Sequence, residues 1–122
     1  MQYAPVVFNN VNSMSPLDRM KAAVILAIGG GHLGFNAMDK PFNPILGETY
    51  EGFIGGCPVY GEQICHHPPI TSLLFKGRGY TMYTTKSTTI SIGVNCGRAA
   101  YTGWTYISFN KNDISKDIIK FD

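Results

Sequence analysis

The stretch Gly79-Tyr80-Thr81-Met82-Tyr83-Thr84-Thr85-Lys86-Ser87-Thr88-Thr89-Ile90-Ser91-Ile92-Gly93-Val94 decides the fold class. Tyr80, Met82 and Thr84 alternate with Thr81, Tyr83 and Thr85. That is the period of two expected of a β-strand, whose side chains point to opposite faces in turn. Ile90, Ile92 and Val94 repeat the pattern on one face. Lys86-Ser87 reads as a short break, so two strands are expected, Gly79–Thr85 and Thr88–Val94. The same signal recurs outward at Glu48–Ile54, Pro58–His66, Ile70–Phe75 and Tyr101–Phe109. Gly55-Gly56, Lys76-Gly77 and Asn95-Cys96-Gly97 separate these runs. Strand signals at intervals of about 8–12 residues predict an antiparallel sheet or barrel. Ile114–Phe121 suits a further strand or a short helix.

Upstream of the strands the pattern changes. Ser15-Pro16-Leu17-Asp18 reads as a helix start: Ser15 caps, Pro16 suits the first helical position, and Asp18 is an acid in the first turn. Leu17, Met20, Val24 and Ile28 recur at helical spacing, and the helix is expected to bury most of its surface in its second half. The triplet Gly29-Gly30-Gly31 is expected to stop this helix, giving it the bounds 15–28.

Composition excludes several classes of function. At 122 residues the chain is one domain at most. A hydrophobic fraction of 44% describes a globular protein, not a disordered tail. The net charge of +2 is too small for a general nucleic-acid footprint, so any anion must be recognised locally. Cys57, Cys65 and Cys96 lack paired motif spacing and read as free thiols in a reducing compartment. The N-terminus lacks the pattern of a signal peptide. The longest apolar run, Ala22–Ile28, is far short of the roughly 20 residues of a membrane-spanning helix. The expectation is a soluble, cytoplasmic protein.

Two stretches carry chemistry. In Lys40-Pro41-Phe42-Asn43-Pro44, both Lys40 and Asn43 precede proline and are biased to extended backbone. In a polyproline-type stretch they project from one side, about 9 Å apart along the axis. A lysine and an amide so placed suit the head of an anionic ligand. The second stretch is Glu62-Gln63-Ile64-Cys65-His66-His67-Pro68-Pro69. Two imidazoles at a strand end, with Lys40, can neutralise a phosphate monoester of charge about −1.5 to −2. Zinc held by Cys65, His66, His67 and Cys57 is a competing reading, although neighbouring strand residues make a poor tetrahedron. A Cys65–His67 nucleophile pair lacks an oxyanion hole or third member. A satisfied histidine pair with no ligand also fits the residues.

Other features have structural readings. Gly29-Gly30-Gly31-His32-Leu33-Gly34 matches G-x-G-x-x-G, but that fingerprint needs a strand before it and a helix after it. A helix stop and connector fits better. Glu48 and Glu51, three apart in a strand-like run, face opposite ways and are not paired catalytic carboxylates. Tyr101, Trp104 and Tyr106 read as core or sheet-face aromatics.

Lys40-Pro41-Phe42-Asn43-Pro44-Ile45-Leu46-Gly47-Glu48-Thr49-Tyr50-Glu51 resembles the proline-rich block of the oxysterol-binding protein family, and Glu62–Pro69 resembles its fingerprint. The recognisable likeness runs from about Ser15 to Phe75. It implies a mainly β fold, part of an incomplete antiparallel β-barrel with a lipid tunnel and a short N-terminal helix. It implies a non-enzymatic protein without a cofactor that binds lipids and moves them between membranes. The implied partners are phosphatidylinositol-4-phosphate, a sterol or other lipid cargo, and a transient, peripheral contact with organelle membranes. Residues matching Lys40, Asn43, His66 and His67 hold the phosphoinositide headgroup. An interaction or scaffold module that keeps the sheet without the ligand is the alternative. The sequence departs from the fingerprint at Ile64 and Cys65, where Val and Ser are usual. The family's domain is also much longer, and Tyr3–Phe8 is too short for its full lid.

Overall fold

The computed structural model describes residues 2–36, 42–94, 97–109 and 117–122. It opens with a four-residue helix, α1 (Ala4–Val7), and a 3-10 turn at Val11–Ser13. A long helix follows, α2 (Pro16–Asn36). The strands are β1 (Thr49–Ile54), β2 (Cys57–Cys65), β3 (Ile70–Gly77), β4 (Tyr80–Ile92), β5 (Gly97–Thr102), β6 (Thr105–Ser108) and β7 (Ile118–Phe121). They form one antiparallel sheet in the order β1-β2-β3-β4-β6-β7, with β5 also on β4. The sheet is open, with β1 and β7 at its edges among the described residues.

The expected start of α2 is as read. The Asp18 N–H donates to Ser15 Oγ at 3.2 Å, and the Ser15 hydroxyl donates to Asp18 Oδ2 at 2.7 Å. The Ser15 carbonyl accepts from Arg19 N at 3.0 Å, so Ser15 caps the first turn. Its hydroxyl, donated to the Asp18 carboxylate, holds that group below the usual carboxylate range, with Lys21 helping.

One expectation about α2 is corrected. It does not stop at Gly29–Gly31 but runs on to Asn36. Glycine costs a helix only about 1 kcal/mol relative to alanine, which packing can outweigh. At Gly29 the helix packs beside Tyr3, whose ring would lie 3.4 Å from an added Cβ, an ordinary contact. Burial does fall in the second half of the expected span, but not on the residues that recur at helical spacing. Leu17, Met20, Val24 and Ile28 are exposed, and Ala22, Ala23 and Leu26 are the buried positions. A helix apolar on most sides gives no unique stripe from periodicity, and its small side chains allow the closest approach to a sheet.

Cross-strand register defines the two sheet faces. The inner face carries Ile54 and Cys57, then Val59, Phe75, Met82, Ile107 and Ile119 in one row across the sheet. Val59, Phe75, Met82 and Ile107 are almost fully buried under Ala4, Phe8 and Val11 and under Ala22, Ala23 and Leu26 of α2. The Phe8 ring meets Tyr80 in a tilted contact at 4.8 Å and Phe109 edge to face at 5.5 Å between ring centroids. Arg19 ties α2 across this core. It pairs with Asp117, lies 5.2 Å over the Phe109 ring, and donates to the Val11 carbonyl.

The expected break at Lys86-Ser87 is absent, and β4 is continuous. Nothing at those positions breaks a strand, and the β-branched threonines around them favour extension. What changes there is the partner: residues 81–84 pair with β6 and residues 87–92 with β5. Both pairings keep one register (Thr84 with Thr105, Ser87 with Thr102), so β5 and β6 are one strand broken at Gly103-Trp104. The expected single strand Tyr101–Phe109 is thus divided. Gly103 sits at φ +124°, and a Cβ there would strike the Thr85 carbonyl oxygen.

Gly103→Ala combines a disfavoured backbone with a collision and is expected to cost about 1–3 kcal/mol of stability, read as a lower urea midpoint. Ser15→Ala is expected to raise the Asp18 pKa toward the ordinary carboxylate value, measured by NMR titration. The cap's contribution is present above the ordinary carboxylate pKa and is lost as pH falls through the lowered one.

Candidate functional site

The two motif stretches meet at one end of the sheet. The β1–β2 ladder continues past its last paired residue, Thr49: Gln63 N–H donates to the Glu48 carbonyl at 3.0 Å, and Gly47 N–H to the Gln63 carbonyl at 2.8 Å. Ahead of that ladder, Ile45–Glu48 forms a reciprocal turn. Glu48 N–H donates to the Ile45 carbonyl at 3.0 Å, and Glu48 Oε2 accepts from Ile45 N–H at 2.9 Å. Gly47, at φ +77°, lets the chain reverse there. Glu48 is therefore a structural carboxylate.

The fingerprint stretch forms the β2–β3 hairpin. Its tip is His66-His67-Pro68-Pro69, entered through a register shift between Gln63 and Cys65. Both histidines are exposed, and their rings stand edge to face at 4.6 Å. The turn thus presents both imidazoles side by side, as the phosphate reading requires, although a straight strand would have split them. Asn43 is exposed in the irregular segment ahead of the Ile45–Glu48 turn. Lys40 lies outside the described residues. Among the described residues, no group of three or more His, Cys, Asp or Glu side chains is placed to hold a metal ion. The G-x-G-x-x-G pattern lies within α2, not between a strand and a helix, so the dinucleotide reading loses its required context.

One residue of the fingerprint has a role that sequence reasoning missed. Gln63 is only 2% exposed. Its Nε2 donates to the Cys65 carbonyl at 2.8 Å, and its Oε1 accepts from the Thr71 hydroxyl at 2.5 Å. One buried amide therefore braces the bulge before the histidines and the opposite strand. Through its backbone, the same residue holds the proline-rich block. The signal was available: Gln63 is in alternation with Cys57 and Val59, the packed face.

A second missed feature is a cavity of about 530 Å³ between α2 and the inner face. Leu26, Ala27 and Gly30 roof it, and Leu73, Met82 and Phe121 are among the side chains beneath. Thr84 and Thr105 also line it, joined by their hydroxyls at 3.0 Å. At the rim, Lys86 donates to the Gly103 carbonyl at 2.5 Å and approaches Asp122 Oδ1 at 3.5 Å. A mainly apolar cavity with a few polar groups suits a lipid body better than a polar metabolite.

An open antiparallel sheet with helices across one face, and a hairpin at one end, is an arrangement found in solved structures. The chain matches the Osh1 ORD domain in complex with cholesterol at TM-score 0.76 and 21% identity, over 90% of this chain and 27% of that one. It matches the Osh3 ORD in complex with PI(4)P from Saccharomyces cerevisiae at TM-score 0.67 and 20% identity, over 88% and 32% respectively. These likenesses establish the shared fold. The model of the oxysterol-binding protein family matches residues 1–120, and the chain belongs to that family. It is 47% identical to oxysterol-binding protein 9 of Dictyostelium discoideum over 58 residues, 47% of this chain and 13% of that protein. It is 34% identical to human oxysterol-binding protein-related protein 3 over 86 residues, 68% of this chain and 10% of that protein. The matches therefore span about a tenth of these relatives' length. No helix among the described residues is long and apolar enough to cross a membrane.

Gln63→Ala would leave the Thr71 hydroxyl and the Cys65 carbonyl without their partner. The expected cost is about 1–3 kcal/mol. Amide hydrogen exchange should quicken over residues 63–71 before it quickens in β4.

Proposed function

We propose that this chain carries the headgroup site and one wall of the lipid tunnel of a non-enzymatic lipid-transfer domain. The observation that supports this most strongly is the joining of the proline-rich block to the His66-His67 hairpin through Gln63. In this reading Lys40, Asn43, His66 and His67 hold the phosphate of phosphatidylinositol-4-phosphate. Imidazole beside a phosphate dianion favours its protonated form, which donates from both nitrogens. The acyl chains, or a sterol in exchange, occupy the cavity beneath α2. The solved relatives with cholesterol and with PI(4)P support both classes of ligand.

The surroundings fit work at a membrane surface. Phe42, Ile45 and Leu46 are exposed apolar side chains beside Asn43 and the turn. They would enter the headgroup layer while the histidines engage the phosphate, giving a peripheral, transient contact at the cytosolic face of organelle membranes. The exposed apolar side of α2 (Leu17, Val24, Ile25 and Ile28) is where the remainder of a longer domain would pack.

Vesicle extraction tests the reading with two labelled lipids. His66→Ala/His67→Ala should retain the fold, because both side chains are exposed, and should lower phosphatidylinositol-4-phosphate extraction by about tenfold or more. Sterol extraction should change little. Ala27→Trp fills the cavity and should lower extraction of both. Unchanged phosphoinositide extraction in the histidine variant would remove these residues from the headgroup site. A protein that extracts neither lipid would favour the scaffold alternative.

A further inference from the structure

The outer face of the sheet is not used by the lipid-binding reading, yet it is ordered in an unusual way. Glu51, Tyr60, Leu74, Tyr83, Tyr106 and Lys120 are direct cross-strand partners in succession. They form one row across six strands, acidic at one end, aromatic and apolar in the middle, and basic at the other. Tyr60 is 37% exposed and Tyr83 43%. The Tyr83 hydroxyl is held by Ser72 at 3.3 Å and Thr85 at 3.0 Å, which fixes its ring over the face. An open groove of about 420 Å³ runs between these tyrosines, bordered by Glu51 and Glu62. Among the described residues, neither glutamate has a salt-bridge partner. At the far end, the Lys120 ammonium sits 3.8 Å from the Trp104 ring centroid and 5.3 Å from that of Tyr106, with no carboxylate paired to it among the described residues.

We propose that this face is a self-association surface whose partner is a second copy of the chain. Two sheets stacked face to face lie about 10 Å apart. A two-fold axis parallel to the strands, between β3 and β4, reverses the strand order and keeps the rows. Glu51 of one copy then meets Lys120 of the second copy at both ends of the row. Tyr60 meets Tyr106, and Leu74 meets Tyr83. In the adjacent row Phe53 meets Ile118, both exposed apolar side chains. The face is thus complementary to itself in charge and in apolar character under one symmetry operation, the requirement for an isologous dimer. The Lys120 ammonium enters the groove bordered by Glu51 and Glu62, and its neighbour Trp104 covers the rim.

The test uses sedimentation velocity with charge reversals, plus a zero-length carbodiimide cross-link. Within one copy Glu51 and Lys120 are five strand spacings apart, about 24 Å. A Glu51–Lys120 cross-link found by mass spectrometry therefore joins two copies. A concentration-dependent dimer containing that cross-link is expected. Glu51→Lys and Lys120→Glu should each weaken it by about tenfold or more. The double variant should restore it to within about threefold of the original. A protein monomeric at all concentrations would overturn the proposal. So would association unaffected by the reversals and lacking the cross-link, which would point to the sheet edges or the exposed side of α2. Single variants that weaken association without rescue in the double variant would also overturn it.

Discussion

The architecture depends on the strict alternation of side chains along β4. That strand pairs with β3 on one edge and with β6 and then β5 on the other, so its register is transmitted across the sheet. Tyr80, Met82 and Thr84 point under the helices, and Thr81, Tyr83 and Thr85 point away. A slip of one residue would exchange the two faces. It would put Met82 in water and break the packed row of Phe75, Met82 and Ile107. Burial of Phe75, Met82 and Ile107 therefore specifies the register. The register in turn sets both the floor of the cavity and the order of the outer row.

On that frame the site is assembled by polar contacts. Packing brings α2 close through Ala22 and Ala23, and beyond them the helix and sheet leave a cavity at Ala27 and Gly30. At the sheet end there is little apolar burial, and hydrogen bonds take over. Gln63 is the junction, because one buried residue with both amide groups satisfied joins two strands, a bulge and the proline-rich turn. A buried polar group of this kind is costly when half satisfied, which makes its geometry specific. The exposed histidines can then be chemically available without having to hold the fold.

Membership of the oxysterol-binding protein family agrees with the open antiparallel sheet and its helix layer. The conserved fold accounts for the sheet, the helix layer and the placement of the hairpin. The chain's own residues add local particulars, such as Cys65 at the bulge and the glycine triplet inside α2. The triplet illustrates that glycine lowers helix propensity without forbidding a helix, since α2 runs through it.

Much of the design was legible without coordinates. Period-two alternation located the strands, because the pleat acts on neighbouring residues alone. Ser15, Pro16 and Asp18 marked the start of α2, because capping is satisfied within one turn. The position of His66 and His67 at a strand end was legible from the prolines that follow them. The end of α2, its buried side and the break at Gly103 were not legible. The buried side of α2 and the break depend on atoms distant in the chain: the inner sheet face and the Thr85 carbonyl. The role of Gln63 belongs to the same group, since Thr71 becomes its partner only once the hairpin has closed. Sequence specified the local conformations, and tertiary packing decided which side chains face the cavity and which meet at the sheet end, because only packing brings distant residues within bonding reach.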